Sequence, residues 1–147
     1  MNNRREEQNQ KLDEEFLKFL KRMVIEGIDN NFIKEAEEYG KYLAKTANLT
    51  TTQIRRIFGH VKKIENFEDP KKFIPQLLML KPMLAYTAKR HESVGFLQEV
   101  LENAIDAVTD TTIENDNKKQ IARSRFHLFC AGFEAILAYH KAKGGKD

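Results

Sequence analysis

The chain has 147 residues, a length that suits one domain with its own hydrophobic core. Hydrophobic residues make up 41% of it, only three prolines and seven glycines occur, and Trp is absent, which favours long helices over a sheet with many turns. No run of 18 apolar residues is present and a single cysteine excludes an internal disulfide, so we expect a cytoplasmic protein without a membrane span.

The first third of the chain predicts a tail and two helices. Residues 1–10 are polar and charged, which predicts a disordered tail rather than a signal peptide. Apolar residues then recur at helical spacing up to Gly27, which should end this helix because glycine accepts a left-handed backbone. Asp29 or Asn30 can cap the second helix, which we expect over residues 31–46.

Residues 50–64, TTTQIRRIFGHVKKI, form the clearest amphipathic pattern. Thr50 and Gln53 stand at the spacing of a capping box. One side of the helix is apolar and consists of Ile54, Ile57, Phe58, Val61 and Ile64. The opposite side has no acidic residue and consists of Arg55, Arg56, His60, Lys62 and Lys63. Such a face is either solvated surface or a polyanion site, and this segment alone does not decide between them.

Prolines should interrupt the segment that follows. Asp69 and Pro70 have the order of a helix N-cap and first residue. Residues 73–80 are nearly all apolar, so we expect them in the core. Pro82 should then break or kink the helix near its preceding turn, leaving residues 83–90 as a second segment.

Two further helical patterns complete the chain. Residues 96–108 are amphipathic, and residues 109–116 are polar and predict a loop. The longest pattern covers residues 118–143 and should end at the glycine pair that follows it. We therefore predict an all-α protein, a compact bundle of six or seven helices with no sheet, forming one domain over residues 11–147.

The net charge of +3 conceals strong segregation along the chain. Residues 49–90 contain nine Lys or Arg and three Asp or Glu, a net charge of +6. Residues 91–116 contain seven acidic residues and no Lys or Arg, and residues 117–147 return to +5, with seven basic and two acidic residues. Surfaces with opposed charge are suited to a polyanion partner and to charge-complementary self-association.

No combination of residues indicates catalysis or a metal site. Glu99, Glu102 and Asp106 share a helix face, but no His joins them, so an exposed acidic face is the simpler interpretation. Cys130 follows His127 by one turn, yet on an apolar helix it is more often a buried small hydrophobe. We expect no cofactor, no metal and no enzymatic activity.

Basic residues near aromatic ones recur along this sequence. Phosphate groups require such cations, and arginine suits them through its planar guanidinium. Tyr86 and Phe126 could stack on bases, although at helical spacing such residues more often belong to the core. The candidate binding residues are Arg55, Arg56, Lys62, Lys63, Lys81, Lys89, Arg90, Lys119, Arg123 and Arg125.

Three segments resemble the small subunit of type III-A CRISPR effector (Csm) complexes. They are LTTTQIRRIF at residues 49–58, LLMLKPMLAYTAKR at residues 77–90 and FEAILAYHKAKGG at residues 133–145. Their order is that of the family, and the similarity covers about two-thirds of the chain. The middle segment is the most specific of the three.

The resemblance implies a small helical, non-catalytic protein of antiviral defence. Several copies would stack into a filament beside other subunits of the complex, and their basic surface would hold guide RNA and target RNA. Base pairing would supply sequence specificity, while this subunit would contact phosphates and recognise shape. The residues that match the family are Arg55, Lys81 and Arg90.

Two alternatives remain open from the sequence. Residues 31–46 and 50–64, joined by a short link, could be the two helices of a helix-turn-helix DNA-binding protein. Preference for one duplex sequence would support that interpretation. A structural helical adaptor without a nucleic-acid role is the other, and salt-insensitive binding of a protein partner would support it.

Overall fold

The computed structural model describes residues 14, 15, 18, 21, 22, 24–67, 70–110 and 118–147. Within these ranges the chain forms helices α1 (Asn30–Lys45), α2 (Thr51–Glu65), α3 (Pro70–Arg90), α4 (Gly95–Thr109) and α5 (Lys118–Ala142). A short 3₁₀ turn, Glu92–Val94, joins α3 to α4, and the described residues before Gly27 are also helical. The described chain contains no strand, which confirms the predicted all-α bundle. The predicted tail, residues 1–10, lies outside the described residues.

Local capping groups determine where the first helices begin. Gly27 has φ of +104° and ends the N-terminal helical segment. Asp29 Oδ1 accepts a hydrogen bond of 2.8 Å from the amide of Phe32, which starts α1. The capping box at α2 is complete: the Gln53 amide donates to Thr50 Oγ1 at 3.1 Å, and the Thr50 amide donates to Gln53 Oε1 at 3.0 Å. Both caps confirm the sequence prediction.

Helix α3 differs from its prediction because Pro82 does not interrupt it. The helix begins at Pro70, as expected, but runs on through Pro75 and Pro82 to Arg90, so there is no separate segment 83–90. Pro82 removes one amide donor from the backbone ladder. The buried side chains of Leu77 and Leu84 lie on the same stripe on either side of Pro82, and their packing keeps the helix in one piece.

The apolar run at residues 73–80 is only partly buried, which corrects a second expectation. Phe73 and Leu77 lie in the core, whereas Leu78 is 41% exposed and Met79 is 63% exposed. The reason is geometric: α3 contacts its neighbours along one side, so a run that is apolar all round leaves half of its side chains outside.

Helix α5 is the element on which the others converge, since it contacts α1, α2, α3 and α4. A ladder of phenyl rings runs along its buried face: Phe126 and Phe129 have centroids 6.2 Å apart, and Phe129 and Phe133 are 6.5 Å apart. Phe73 of α3 extends the ladder at one end, 5.5 Å from Phe126, and Phe58 of α2 at the other, 5.3 Å from Phe133. The ladder therefore ties three helices together.

The C-terminal residues close the bundle against the start of α2. Gly144, with φ of +92°, turns the chain after α5, as the glycine pair predicted. The amide of Thr51 then donates to the carbonyl of Lys146 at 2.6 Å. Fully buried His140 lies beneath this turn, with Nε2 2.5 Å from the carbonyl oxygen of Leu49. This histidine was not recognised as a core residue from the sequence.

Candidate nucleic-acid interface

Helix α2 separates its apolar and basic sides as the sequence predicts. Ile54, Ile57, Val61 and Ile64 are at most 5% exposed. The side chains on the outer face are exposed, and they are Arg55, Arg56, Lys62 and Lys63. Because the buried stripe packs on α3 and α5, the rotation of the helix is set and its cations must face outward.

Two of these four cations lie near a carboxylate. Lys62 Nζ lies 3.0 Å from Glu65 Oε2, and this hydrogen bond is the main cause of a raised pKa for Lys62. The same ammonium lies 5.6 Å from the ring centroid of Phe58. Arg55 is close enough to the carboxylate of Asp147 to contribute to its lowered pKa, of which Lys141 is the first cause.

The other two cations of α2 are available. Within the part of the chain that the structure describes, the side chains of Arg56 and Lys63 have no ion pair or hydrogen bond. They are seven residues apart, so they lie on one face about 10 Å apart along the helix axis. An anion would not have to displace an internal partner to reach either of them.

Helix α3 carries the candidate residues Lys81, Lys89 and Arg90, which lie in two different settings. Lys81 faces α4 and forms an ion pair with Asp106. Lys89 and Arg90 are exposed in the last turn, where cations are also favoured by the helix dipole. The Arg90 guanidinium lies 5.8 Å from the ring centroid of Tyr86, and its Nη1 is 3.4 Å from the tyrosine hydroxyl.

The candidate residues of α5 include Arg123 and Arg125, which are both half-buried. Arg125 Nη1 donates to the carbonyl of Ala107 at 2.9 Å, in the last turn of α4. Lys119 belongs to the first turn of α5. Phe126, a stacking candidate, is 3% exposed in the core and cannot reach a base.

In the structure, Asp106, Glu102 and Cys130 are paired, hydrogen-bonded and buried, respectively. Asp106 is paired with Lys81, and Glu102 Oε1 accepts from Gln98 Nε2 at 3.1 Å. No three His, Cys, Asp or Glu side chains of the described ranges could jointly hold a metal ion. Cys130 is 3% exposed, and burial raises its pKa to about 12, so it is a protonated core residue at neutral pH.

The arrangement of α1 and α2 does not match a helix-turn-helix. In that motif the two helices pack on each other. Here α1 packs chiefly on α5, and α2 packs on α3 and α5, while α1 and α2 share hardly any contact. None of the described helices is long and apolar enough to cross a membrane.

The fold and the site together define a small all-α bundle with one exposed basic helix face. Residues 26–146 match the family model Csm2 Type III-A, and the chain belongs to this family. It is therefore a small subunit of a type III-A CRISPR complex, which confirms the resemblance found in the sequence.

One curated relative, the CRISPR system Cms protein Csm2 of Streptococcus thermophilus, is 28% identical over 126 residues. That match covers 81% of this chain and 96% of the relative. No solved structure is significantly similar to this one.

Proposed function

We propose that the chain is the non-catalytic, RNA-binding subunit of its complex and holds guide RNA and target RNA through the basic face of α2. The observation that carries the proposal is the pair of exposed cations, Arg56 and Lys63, that have no partner among the described residues. A basic face kept only for solubility would be served as well by mixed charges four residues apart.

The contacts are with phosphates, so the binding is electrostatic and largely independent of sequence. Each neutralised phosphate of a single strand should contribute about −0.7 to the slope of log K against log salt. Sequence specificity comes from base pairing within the RNA, as in other RNA-guided complexes. RNA cleavage and nucleotide chemistry then belong to other subunits in the cytoplasm.

Stacking of several copies into a filament is the second part of the proposal. Its support is the segregation of charge, because α2 exposes cations while the exposed face of α4 carries Glu99 and Asp106. Two different surfaces of unlike charge favour a head-to-tail contact between copies, and such a contact repeats without closing into a dimer.

The test compares three labelled nucleic acids of equal length: single-stranded RNA, RNA duplex and DNA duplex. We expect both RNAs to bind with steep salt dependence and the variant Arg56→Ala/Lys63→Ala to bind them more weakly. A flat salt response, or binding of the DNA duplex alone with preference for one sequence, would refute the proposal in favour of the alternatives named above.

A further inference from the structure

An exposed apolar stripe runs along α3, outside the basic face of α2. Its members point away from the core and are Pro75, Leu78, Met79, Pro82 and Tyr86. Met79 is 63% exposed and Tyr86 is 64% exposed. At 100° per residue all five fall within a sector of about 100°. A contiguous apolar face of this kind marks a binding surface rather than scattered surface hydrophobes.

Tyr86 is the residue of this stripe that indicates which kind of ligand binds there. Its ring stays exposed although Arg90 lies one turn away, with the guanidinium 5.8 Å from the ring centroid. The hydroxyl is held by Arg90 Nη1 at 3.4 Å. A base could therefore stack on the tyrosine ring while the neighbouring guanidinium meets a phosphate, the combination that single-stranded nucleic acids use on proteins.

The charges around the stripe favour an anionic occupant over a second copy of the chain. Lys72 is exposed near one end, and Lys89 and Arg90 are exposed at the other. If two copies paired their stripes about a two-fold axis centred near Lys81, Lys72 of one copy would lie opposite Arg90 of the other. Like charges across an interface oppose association, whereas a phosphate backbone is complementary to both ends.

We propose that the α3 stripe is a stacking platform for unpaired bases of single-stranded RNA, with Tyr86 as its anchoring ring. The inference rests on the proposed function and adds to it the part of the RNA that is recognised, namely bases free of a partner. Met79 and Tyr86 are about 10 Å apart along the helix. That length accommodates about three bases stacked at 3.4 Å, and no base is preferred because every base has a π-face.

The experiment uses the full chain and the variants Tyr86→Ala and Tyr86→Phe. The exposed ring packs on nothing in the core, so both variants should melt at the parent temperature, which circular dichroism checks. The probes are oligoadenylate as the single strand, an RNA duplex of equal length, and heparin as a polyanion without bases. A strand that carries 2-aminopurine reports stacking directly through quenching of its fluorescence.

We expect Tyr86→Ala to bind oligoadenylate about tenfold more weakly, in line with the loss of one stacked base. Tyr86→Phe should bind it as the parent does, because the phenyl ring retains the π-face. Binding of heparin and of the RNA duplex should be unchanged in both variants. Quenching of 2-aminopurine should be present with the parent and Tyr86→Phe, and lost with Tyr86→Ala.

The outcomes separate this inference from the proposed function. If Tyr86→Ala binds and quenches the single strand like the parent, the stacking platform is refuted while binding by α2 stands. If Tyr86→Ala instead lowers the sedimentation coefficient and leaves RNA affinity intact, the stripe is a contact between copies and the inference is overturned. A parent protein that binds no RNA at any salt concentration would overturn both proposals.

Discussion

Removing the two cations of α2 that have no described partner should change RNA binding more than removing the two that lie near a carboxylate. The variant Arg56→Ala/Lys63→Ala deletes two phosphate contacts, so the slope of log K against log salt should fall in magnitude by about 1.4 for single-stranded RNA. Between 50 and 200 mM salt, the parent should lose about sevenfold more affinity than this variant. Its folding should be nearly unaffected, within about 0.5 kcal/mol, because both side chains are exposed.

The matched control is Arg55→Ala/Lys62→Ala, which removes the same formal charge from the same helix. Lys62 already neutralises Glu65, and Arg55 already interacts with the carboxylate of Asp147, so each has less to offer a phosphate. Fluorescence anisotropy titrations at four salt concentrations measure both slopes. The reasoning fails if the control changes the slope as much as Arg56→Ala/Lys63→Ala does, or if the latter leaves it unchanged.

A second control separates the binding face from the core face of α2. Ile57 is 2% exposed, so Ile57→Ala should lower the free energy of unfolding by about 2–5 kcal/mol. Urea denaturation measures this loss, and the salt slope measured below the unfolding transition should remain that of the parent. If Ile57→Ala lost RNA binding without losing stability, the assignment of the two faces would be contradicted.

Three further predictions concern other parts of the molecule. Gly40→Ala should lower the free energy of unfolding in urea by about 1–3 kcal/mol, because the added Cβ would lie 2.7 Å from that of Tyr139, where α1 meets α5. The matched variant Gly59→Ala meets open space and should raise the free energy of unfolding by up to about 1 kcal/mol. Equal effects of the two substitutions would refute the close approach of α1 and α5. Cys130, with its pKa raised to about 12, should not react with a disulfide reagent at pH 8 until urea unfolds the chain, and fast labelling of the native protein would contradict its burial. Asp106→Asn should release Lys81 and strengthen RNA binding in the anisotropy titration, and unchanged affinity would remove Lys81 from the binding set.

The sequence by itself determined the features that depend on a few neighbouring residues. The capping box of Thr50 and Gln53 is read from a spacing of three, and the end of the first helical segment from Gly27 alone. The same holds for the two faces of α2, because helical periodicity alone separates Ile57 from Arg56. These groups satisfy one another locally, so no knowledge of the rest of the chain is needed.

Tertiary packing decided which candidate residues remain available. Lys81 pairs with Asp106, 25 residues away, and Arg125 donates to the carbonyl of Ala107, 18 residues away; no local pattern indicates either contact. Tyr86 and Phe126 looked equivalent in the sequence, but Phe126 joins the ring ladder of α5 and Tyr86 stays outside.

The largest differences between the sequence prediction and the structure arise where a helix packs against its neighbours. The local sterics of Pro82 predict an interruption of the helix, yet packing on either side of this residue keeps α3 continuous. The apolar run of α3 predicted burial, yet a helix buries only the sides that its neighbours cover, and here one side faces solvent. His140 reaches the carbonyl of Leu49 across 91 residues, a contact that exists only because the chain folds back on itself.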